Sequence, residues 1–214
     1  MAISRRALFG KLNLTLFRAI ESATAFAKLR GNPYVELVHW LHQLWQLSNS
    51  DLHRVCIHYR IEPAKLESDF AAALRSLPAG ANSISDFSRH LTDAIVRAWT
   101  LSSLEFGGRC IRGGWLLAAL LQNPELRRIL LGISPAFQQI PVAQLSEDVA
   151  AIVAGSAEDG QEPYDGSGLH GASPGESSDA IATPPNEKSA LVRFCTDLTA
   201  RACAGEIDPV IGRG

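Results

Sequence analysis

An internal repeat is the feature that most constrains how this chain of 214 residues folds. The apolar positions of residues 111–121 largely coincide with those of residues 35–45, at an offset of 76 along the sequence. After a gap of two residues, positions 50–55 align with positions 124–129. Each half also has a helical pattern just upstream. A single unit of this kind would leave an apolar face in water, so the repeat predicts two units that pack together.

The two predicted units cover about residues 12–77 and 84–154, and we expect them to be related by pseudo-twofold symmetry. Any two amphipathic helices resemble each other to some degree, which is the alternative explanation of the match. The same order of helix, loop, apolar helix and short capped helix in both halves favours duplication.

Helical periodicity runs through both units and predicts an all-α fold for residues 1–154. Gly31 followed by Pro33 predicts the end of the first long helix. Asn123 followed by Pro124 predicts a helix start, with a capping side chain and a fixed φ. No segment shows the strict alternation that marks a half-buried strand. The first predicted stripe has i, i+4 spacing and consists of Leu12, Leu16, Ile20, Ala23 and Ala27.

The composition changes sharply near residue 155. Residues 1–154 carry 16 Lys and Arg, whereas residues 155–187 carry none and have seven Asp and Glu. Fifteen of those 33 residues are Gly, Ser or Pro. Such a segment buries too little apolar surface to offset its ordering entropy. We therefore predict an acidic, flexible linker at 155–187, followed by one further helix within residues 188–214 that Gly205 ends.

Charge and hydropathy argue against several classes of protein. The net charge of −2 gives no case for a nucleic-acid partner or an anionic membrane surface. The longest apolar run, residues 115–121, is far shorter than the roughly 20 residues of a membrane span. The four cysteines are scattered and form no CxxC pair, which is typical of reduced thiols in a cytosolic protein.

Chemical motifs are also lacking. No GxxxxGK[ST] phosphate-binding loop is present, so we expect no nucleotide, no other cofactor and no catalysis in this chain. His39 and His42 lie three residues apart, with His53 and His58 further on, and this spacing raises the question of a metal site. Packing histidines are the favoured interpretation, because no clear acid or thiol partner accompanies them.

Both ends of the chain resemble known Clp-type proteins. Residues 194–202 and 205–213, the latter ending in Asp-Pro-Val-Ile-Gly-Arg, look like the entry to the first ATPase module of Clp-type disaggregases. Residues 8–13 and 31–41 resemble the ClpV (TssH) family, the AAA+ ATPases of bacterial type VI secretion. Gly214 departs from the pattern, which usually has an acidic residue there. The resemblance covers residues 1–154 and 188–213.

The resemblance implies a function for the chain. In ClpV-like proteins the N-terminal domain has a groove that takes a short helix from the contracted secretion sheath, and the ATPase then disassembles that sheath. We therefore expect the N-terminal helix of the small sheath subunit as partner, in the bacterial cytoplasm. ATP, Mg²⁺ and the contacts of a homohexamer would lie in modules beyond residue 214.

Helix-in-groove recognition needs apolar side chains on neighbouring elements. Two segments of the sequence offer them, one within residues 9–20 and the other within residues 84–91. Phe9 and Phe87 are the better candidates because they lie near helix starts; for Leu16 and Ile20 core packing is at least as strong an interpretation. The alternatives for the whole chain are the N-domain of a general disaggregase that binds unfolded proteins, or a stand-alone scaffold or adaptor. The candidate partner-binding residues are Phe9, Leu12, Leu16, Ile20, Ile84, Phe87 and Leu91.

Overall fold

The computed structural model describes residues 5–165, which form nine α-helices, one 3₁₀ helix and two strands of two residues. None of the helices in this part of the chain is long and apolar enough to cross a membrane. The helices are α1 (Arg5–Gly10), α2 (Leu14–Leu29), α3 (Leu37–Trp45), α4 (Asp51–His58), α5 (Pro63–Arg75), α6 (Arg89–Leu104), α7 (Gly113–Gln122), α8 (Pro124–Ile133) and α9 (Val142–Val153). The 3₁₀ helix is Pro135–Gln139, and the strands are β1 (Tyr34–Val35) and β2 (Asp86–Phe87).

The all-α prediction is confirmed, with one small addition. Strands β1 and β2 pair in parallel, with Tyr34 opposite Asp86 and Val35 opposite Phe87. The sequence analysis predicted no strand, because a two-residue strand is too short to show any alternation of apolar and polar residues. The pairing joins the segments that lead directly into α3 and α6.

The segments that enter the long helices pair in a symmetric way. The residues before α3 pair with those before α6 through β1 and β2. The residues before α2 pair with those before α7: Leu12 bridges Ile111 in parallel, and the Asn13 N–H donates to the Ile111 carbonyl at 2.9 Å. Since α2 corresponds to α6 and α3 to α7 in the repeat, exchanging the two units turns one pairing into the other. This is the pseudo-twofold relation that the repeat predicts.

Local capping chemistry sets several of the helix boundaries. Asn13 caps α2 by accepting the Leu16 N–H at 2.8 Å, and Asn123 caps α8 by accepting from Glu125 and Leu126. At the other end of α2, Gly31 has a φ of +68°, the left-handed conformation that glycine adopts without steric cost. Helix α2 begins at Leu14, so the predicted stripe starts too early: Leu12 lies before the helix, in the bridge to Ile111.

The two repeated apolar helices form the centre of the core. Every residue of α7 from Gly113 to Leu121 is buried, and so are seven of the nine residues of α3. Glycine allows α7 to approach α9 closely, because a Cβ at Gly114 would meet Val153 Cγ1 at 3.0 Å and Val149 Cγ2 at 3.1 Å. The Trp40 indole of α3 donates to the Leu16 carbonyl of α2 at 3.1 Å, which satisfies a polar group inside the core.

The folded domain continues past the predicted boundary at residue 154. Residues 155–165, here called the strap, pack back against it. The Glu158 side chain is only 2% exposed, and its carboxylate accepts the backbone N–H groups of Asp51 at 2.8 Å and Gly113 at 2.6 Å. It also accepts the Asn13 amide at 2.8 Å. One carboxylate therefore serves the N-termini of α4 and α7 and the cap residue of α2.

The start of the predicted linker is thus part of the domain, for an electrostatic reason. The composition of 155–187 argued for a solvated chain, but an acidic side chain has a favourable buried site where two helix N-termini meet. Next to this site, Arg112 pairs with Asp51 at 2.6 Å and with Asp159 at 2.7 Å. Residues 166–187 of the predicted linker, and the helix predicted within 188–214, lie outside the described residues.

Burial raises the pKa of Glu158 to about 7, and the neighbouring Asp51 carboxylate adds to the rise. The three hydrogen bonds from Gly113, Asp51 and Asn13 act in the opposite direction and lower it. An apolar side chain at this position would leave these three N–H donors without an acceptor.

We expect Glu158→Ala to destabilise the domain strongly, because it leaves three buried N–H donors without an acceptor. The free energy of unfolding should fall by about 3 kcal/mol, which corresponds to a Tm lower by about 6–12 °C. Differential scanning calorimetry measures this. The matched control is Glu162→Ala at an exposed strap position, expected to change stability by less than about 0.5 kcal/mol. Equal melting temperatures for the two variants would contradict the capping role.

Candidate peptide-binding groove

An apolar groove of about 260 Å³ lies between α1 and α2, with β2 at one side. Its surface is almost entirely carbon, and its charged groups, Arg6 and Glu21, have opposite signs. The lining residues are Arg6, Phe9, Phe17, Ile20, Glu21, Thr24 and Phe87. An open apolar surface of this kind, bordered by polar residues, is the usual setting for a partner helix.

Two aromatic rings, one from α1 and one from the second unit, define one side of the groove. Phe9 of α1 and Phe87 of β2 have ring centroids 4.9 Å apart, tilted by 46°. Phe87 is placed by the β1–β2 pairing and by Ser88, whose N–H donates to the Val35 carbonyl at 3.0 Å and whose side chain caps α6. The groove therefore needs both repeat units, since α1 and α2 form one wall and the second unit contributes Phe87.

The seven candidate residues fall into three groups in the structure. Phe9, Ile20 and Phe87 line the groove, with Ile20 at its floor and only 2% exposed. Ile84 is half-buried against the core and does not line the groove.

The third group is the set of candidates inside the core. Leu12, Leu16 and Leu91 are fully buried and have no surface to offer a partner in this conformation. Leu16 lies on the inward face of α2 and Leu91 on that of α6, whereas Leu12 is enclosed by the bridge to Ile111, so all three pack in the core.

Four groove residues were missed by the sequence analysis: Arg6, Phe17, Glu21 and Thr24. Together with Ile20, the last three occupy positions i, i+3, i+4 and i+7 of α2, which lie on one helix face. This spacing is visible in the sequence beginning at Phe17. It was not recognised because the more apolar core stripe beside it dominates the pattern.

A larger cavity of about 740 Å³ lies between α6 and the turn from α7 to α8. Five charged side chains line it: Arg89, Asp93, Arg97, Glu105 and Glu125. Arg89 and Asp93 already form an ion pair at 3.3 Å. A helix with an apolar face would have to desolvate these charges, so the smaller apolar groove is the better candidate site.

The histidines have packing and capping partners. His39 accepts the Glu36 N–H at Nδ1 (2.9 Å) and bonds Asn32 through Nε2 (3.0 Å). Burial lowers the pKa of His39 to about 4, and the charge of Arg30 lowers it further, so the ring is neutral. His42 stacks on Phe26. Within residues 5–165, no group of three or more His, Cys, Asp or Glu is placed to hold a metal ion.

The separation of groove from core predicts different effects of two substitutions. Leu16→Ala should lower the free energy of unfolding by about 3 kcal/mol, because it opens a cavity in a fully buried site. Phe9→Ala should cost less than half of that, since Phe9 is only partly buried at the groove. Urea unfolding followed by circular dichroism gives both values. A larger loss for Phe9→Ala than for Leu16→Ala would mean that the groove is part of the core.

Comparison with known proteins places this geometry in a family, although no family model matches the chain. Over its whole length the chain is 50% identical to "Chaperone protein ClpB" of Yersinia enterocolitica. Over 99% of its length it is 47% identical to "AAA+ ATPase ClpV1" of Pseudomonas aeruginosa. The chain spans 24% and 23% of these two relatives, about a quarter of each.

Solved structures agree with this assignment. One, from work on "Coevolution of the ATPase ClpV, the TssB-TssC Sheath and the Accessory HsiE Protein", is 48% identical, with a TM-score of 0.72 over 74% of this chain and 98% of that one. A "Complex of ClpV N-domain with VipB peptide" is 26% identical, with a TM-score of 0.66 over 74% of this chain and 96% of that one. With this fold and this identity, the chain belongs to the family of N-terminal domains of ClpV-type AAA+ ATPases.

Proposed function

We propose that the groove between α1 and α2 binds one amphipathic helix from a subunit of the type VI secretion sheath, and so delivers the sheath to an AAA+ unfoldase. The observation that carries the proposal is the apolar surface formed by Phe9, Phe17 and Phe87, which stays partly exposed beside a complete core. The solved complex of a related N-domain with a VipB peptide supports it. ATP hydrolysis and assembly into a hexamer would belong to modules outside this chain.

The groove suggests what kind of helix would bind. Apolar side chains at positions i, i+3 or i+4, and i+7 would face Phe9, Phe17 and Phe87. Arg6 and Glu21 at the groove would favour a helix with an acidic group near the first and a basic group near the second. Charge placement of this kind contributes more to specificity and orientation than to affinity.

A modest affinity is sufficient for this task. A dissociation constant of 1 µM corresponds to about −8 kcal/mol. Several tethered domains that face a repetitive sheath raise the effective concentration without any new contact. Each domain can then release its helix quickly while the assembly stays bound.

The direct test is a titration of the chain with fluorescent peptides carrying the N-terminal helices of TssB and TssC. We expect saturable binding of one of them, and Phe87→Glu should weaken it at least tenfold, because a charge would be buried against the bound helix. The matched control is Ile57→Glu, at a residue of α4 that is 71% exposed and does not line the groove. That variant should bind within about twofold of the original chain.

The same titration separates the proposal from its alternative. The 50% identity to a protein named as a ClpB chaperone favours, as a second candidate, binding of unfolded polypeptides in general. That function predicts similar affinities for unfolded casein and for both sheath peptides. The expectation that the partner is the small sheath subunit stays a prediction. Comparing the affinities of the TssB and TssC peptides tests it.

We also propose that residues 166–187 act as a tether, on the basis of their composition. As a random coil, such a segment would span roughly 25 Å. Deleting residues 168–187 in the full-length protein should slow sheath disassembly and leave the peptide affinity unchanged. The deletion must spare the strap, since a cut at residue 155 would remove Glu158. Equal losses in both assays would rule out a tether.

A further inference from the structure

The strap runs beside the turn that joins α1 to α2, the two helices that form one wall of the groove. The Tyr164 N–H donates to the Leu12 carbonyl at 2.8 Å, and the Asp165 N–H donates to the Gly10 carbonyl at 3.1 Å. Pro163 bridges Asn13 in an antiparallel sense. On its other side, the same turn is paired with Ile111. The α1–α2 turn is therefore held from both sides, and the strap supplies one of the two contacts.

The approach of the strap to α1 is close enough to require glycine. A Cβ at Gly10 would lie 2.7 Å from Asp165 Oδ2 and 2.8 Å from Asp165 Cβ. Lys11 also pairs with Asp165, at 3.5 Å. Further along, the Gln161 side chain accepts the Thr15 N–H at 3.0 Å and donates to its hydroxyl at 2.8 Å. The strap thus follows the chain from the end of α1 into the first turn of α2.

Tyr164 is the strap residue whose side chain contacts a residue of the groove. Its ring stacks on Phe17, with centroids 3.4 Å apart and planes within 7° of parallel. Phe17 is half-buried and lines the groove, whereas Tyr164 is 51% exposed. One face of the Phe17 ring is therefore covered by Tyr164, and a stacked aromatic pair of this kind is favourable beyond the area it buries.

We propose that Tyr164 is a positioning residue of the groove: by stacking on Phe17 it holds that ring, and with it the shape of the site, ready for a partner helix. The inference rests on the function proposed above and adds a residue that does not itself line the groove. It also puts the strap, which leads into the rest of the predicted linker, beside the binding site. Binding of a helix and docking of the strap then stabilise each other, by the same factor in both directions.

Two substitutions at one position test this. Tyr164→Ala should weaken binding of the sheath peptide by about fivefold to tenfold, because Phe17 must then be ordered on binding. Tyr164→Phe keeps the stacked ring and should bind within about twofold of the original chain. Thermal melting of both variants checks that the half-exposed substitution leaves the fold intact. If Tyr164 only stabilised the fold, the two folded variants would not differ in their affinity for the peptide.

Hydrogen exchange supplies a second readout. The Tyr164 and Asp165 amides, which donate to Leu12 and Gly10, should exchange several-fold more slowly when the peptide saturates the chain. Folded Tyr164→Ala with unchanged affinity, while Phe87→Glu still loses binding, would overturn the inference and leave the proposed function standing. Absence of peptide binding by the original chain would overturn both.

Discussion

Each repeat unit contains one helix that is apolar on nearly every side, α3 in the first unit and α7 in the second. Such a helix is stable in water only when neighbouring elements cover it completely. Helix α2 covers α3 and α6 covers α7; α4 and α5 complete the cover of α3, and α4, α8 and α9 complete that of α7. The pairings of β1 with β2 and of Leu12 with Ile111 follow from this packing, because they satisfy the backbone where the chain enters these helices.

The groove is a consequence of that arrangement. Once the inward stripe of α2 is used by the core, a second face, beginning at Phe17, is left over. Helix α1 lies beside that face and the second unit adds Phe87, so three separate parts of the chain create one apolar surface. Because this surface lies against a fully buried core, we expect it to keep its shape while no partner covers it. In a site that already has its bound shape, ordering the side chains costs little free energy when a partner binds.

Much of the fold, but only part of the site, could be predicted from the sequence. Local signals were sufficient for the end of α2 at Gly31 and the start of α8 at Asn123, because capping depends on neighbouring residues. The duplication was visible because both units repeat the same apolar pattern. The docking of the strap was not predictable, since the partners of Glu158 lie at Asn13, Asp51 and Gly113, far away in the sequence. Positions near helix starts favoured Phe9 and Phe87 over Leu16 in advance, but the burial of Leu12 and Leu91 depends on long-range packing and could not be predicted.

The central claim is that a helix binds at the α1–α2 groove, and chemical-shift mapping tests it most directly. Isotope-labelled chain would be titrated with the TssB and TssC helix peptides, and amide and aromatic shifts followed residue by residue. The account predicts that the largest changes cluster at Phe9, Phe17, Ile20 and Phe87, with smaller changes in the strap. Changes centred on the charged cavity beside Arg89 and Glu125, with the groove unaffected, would contradict it.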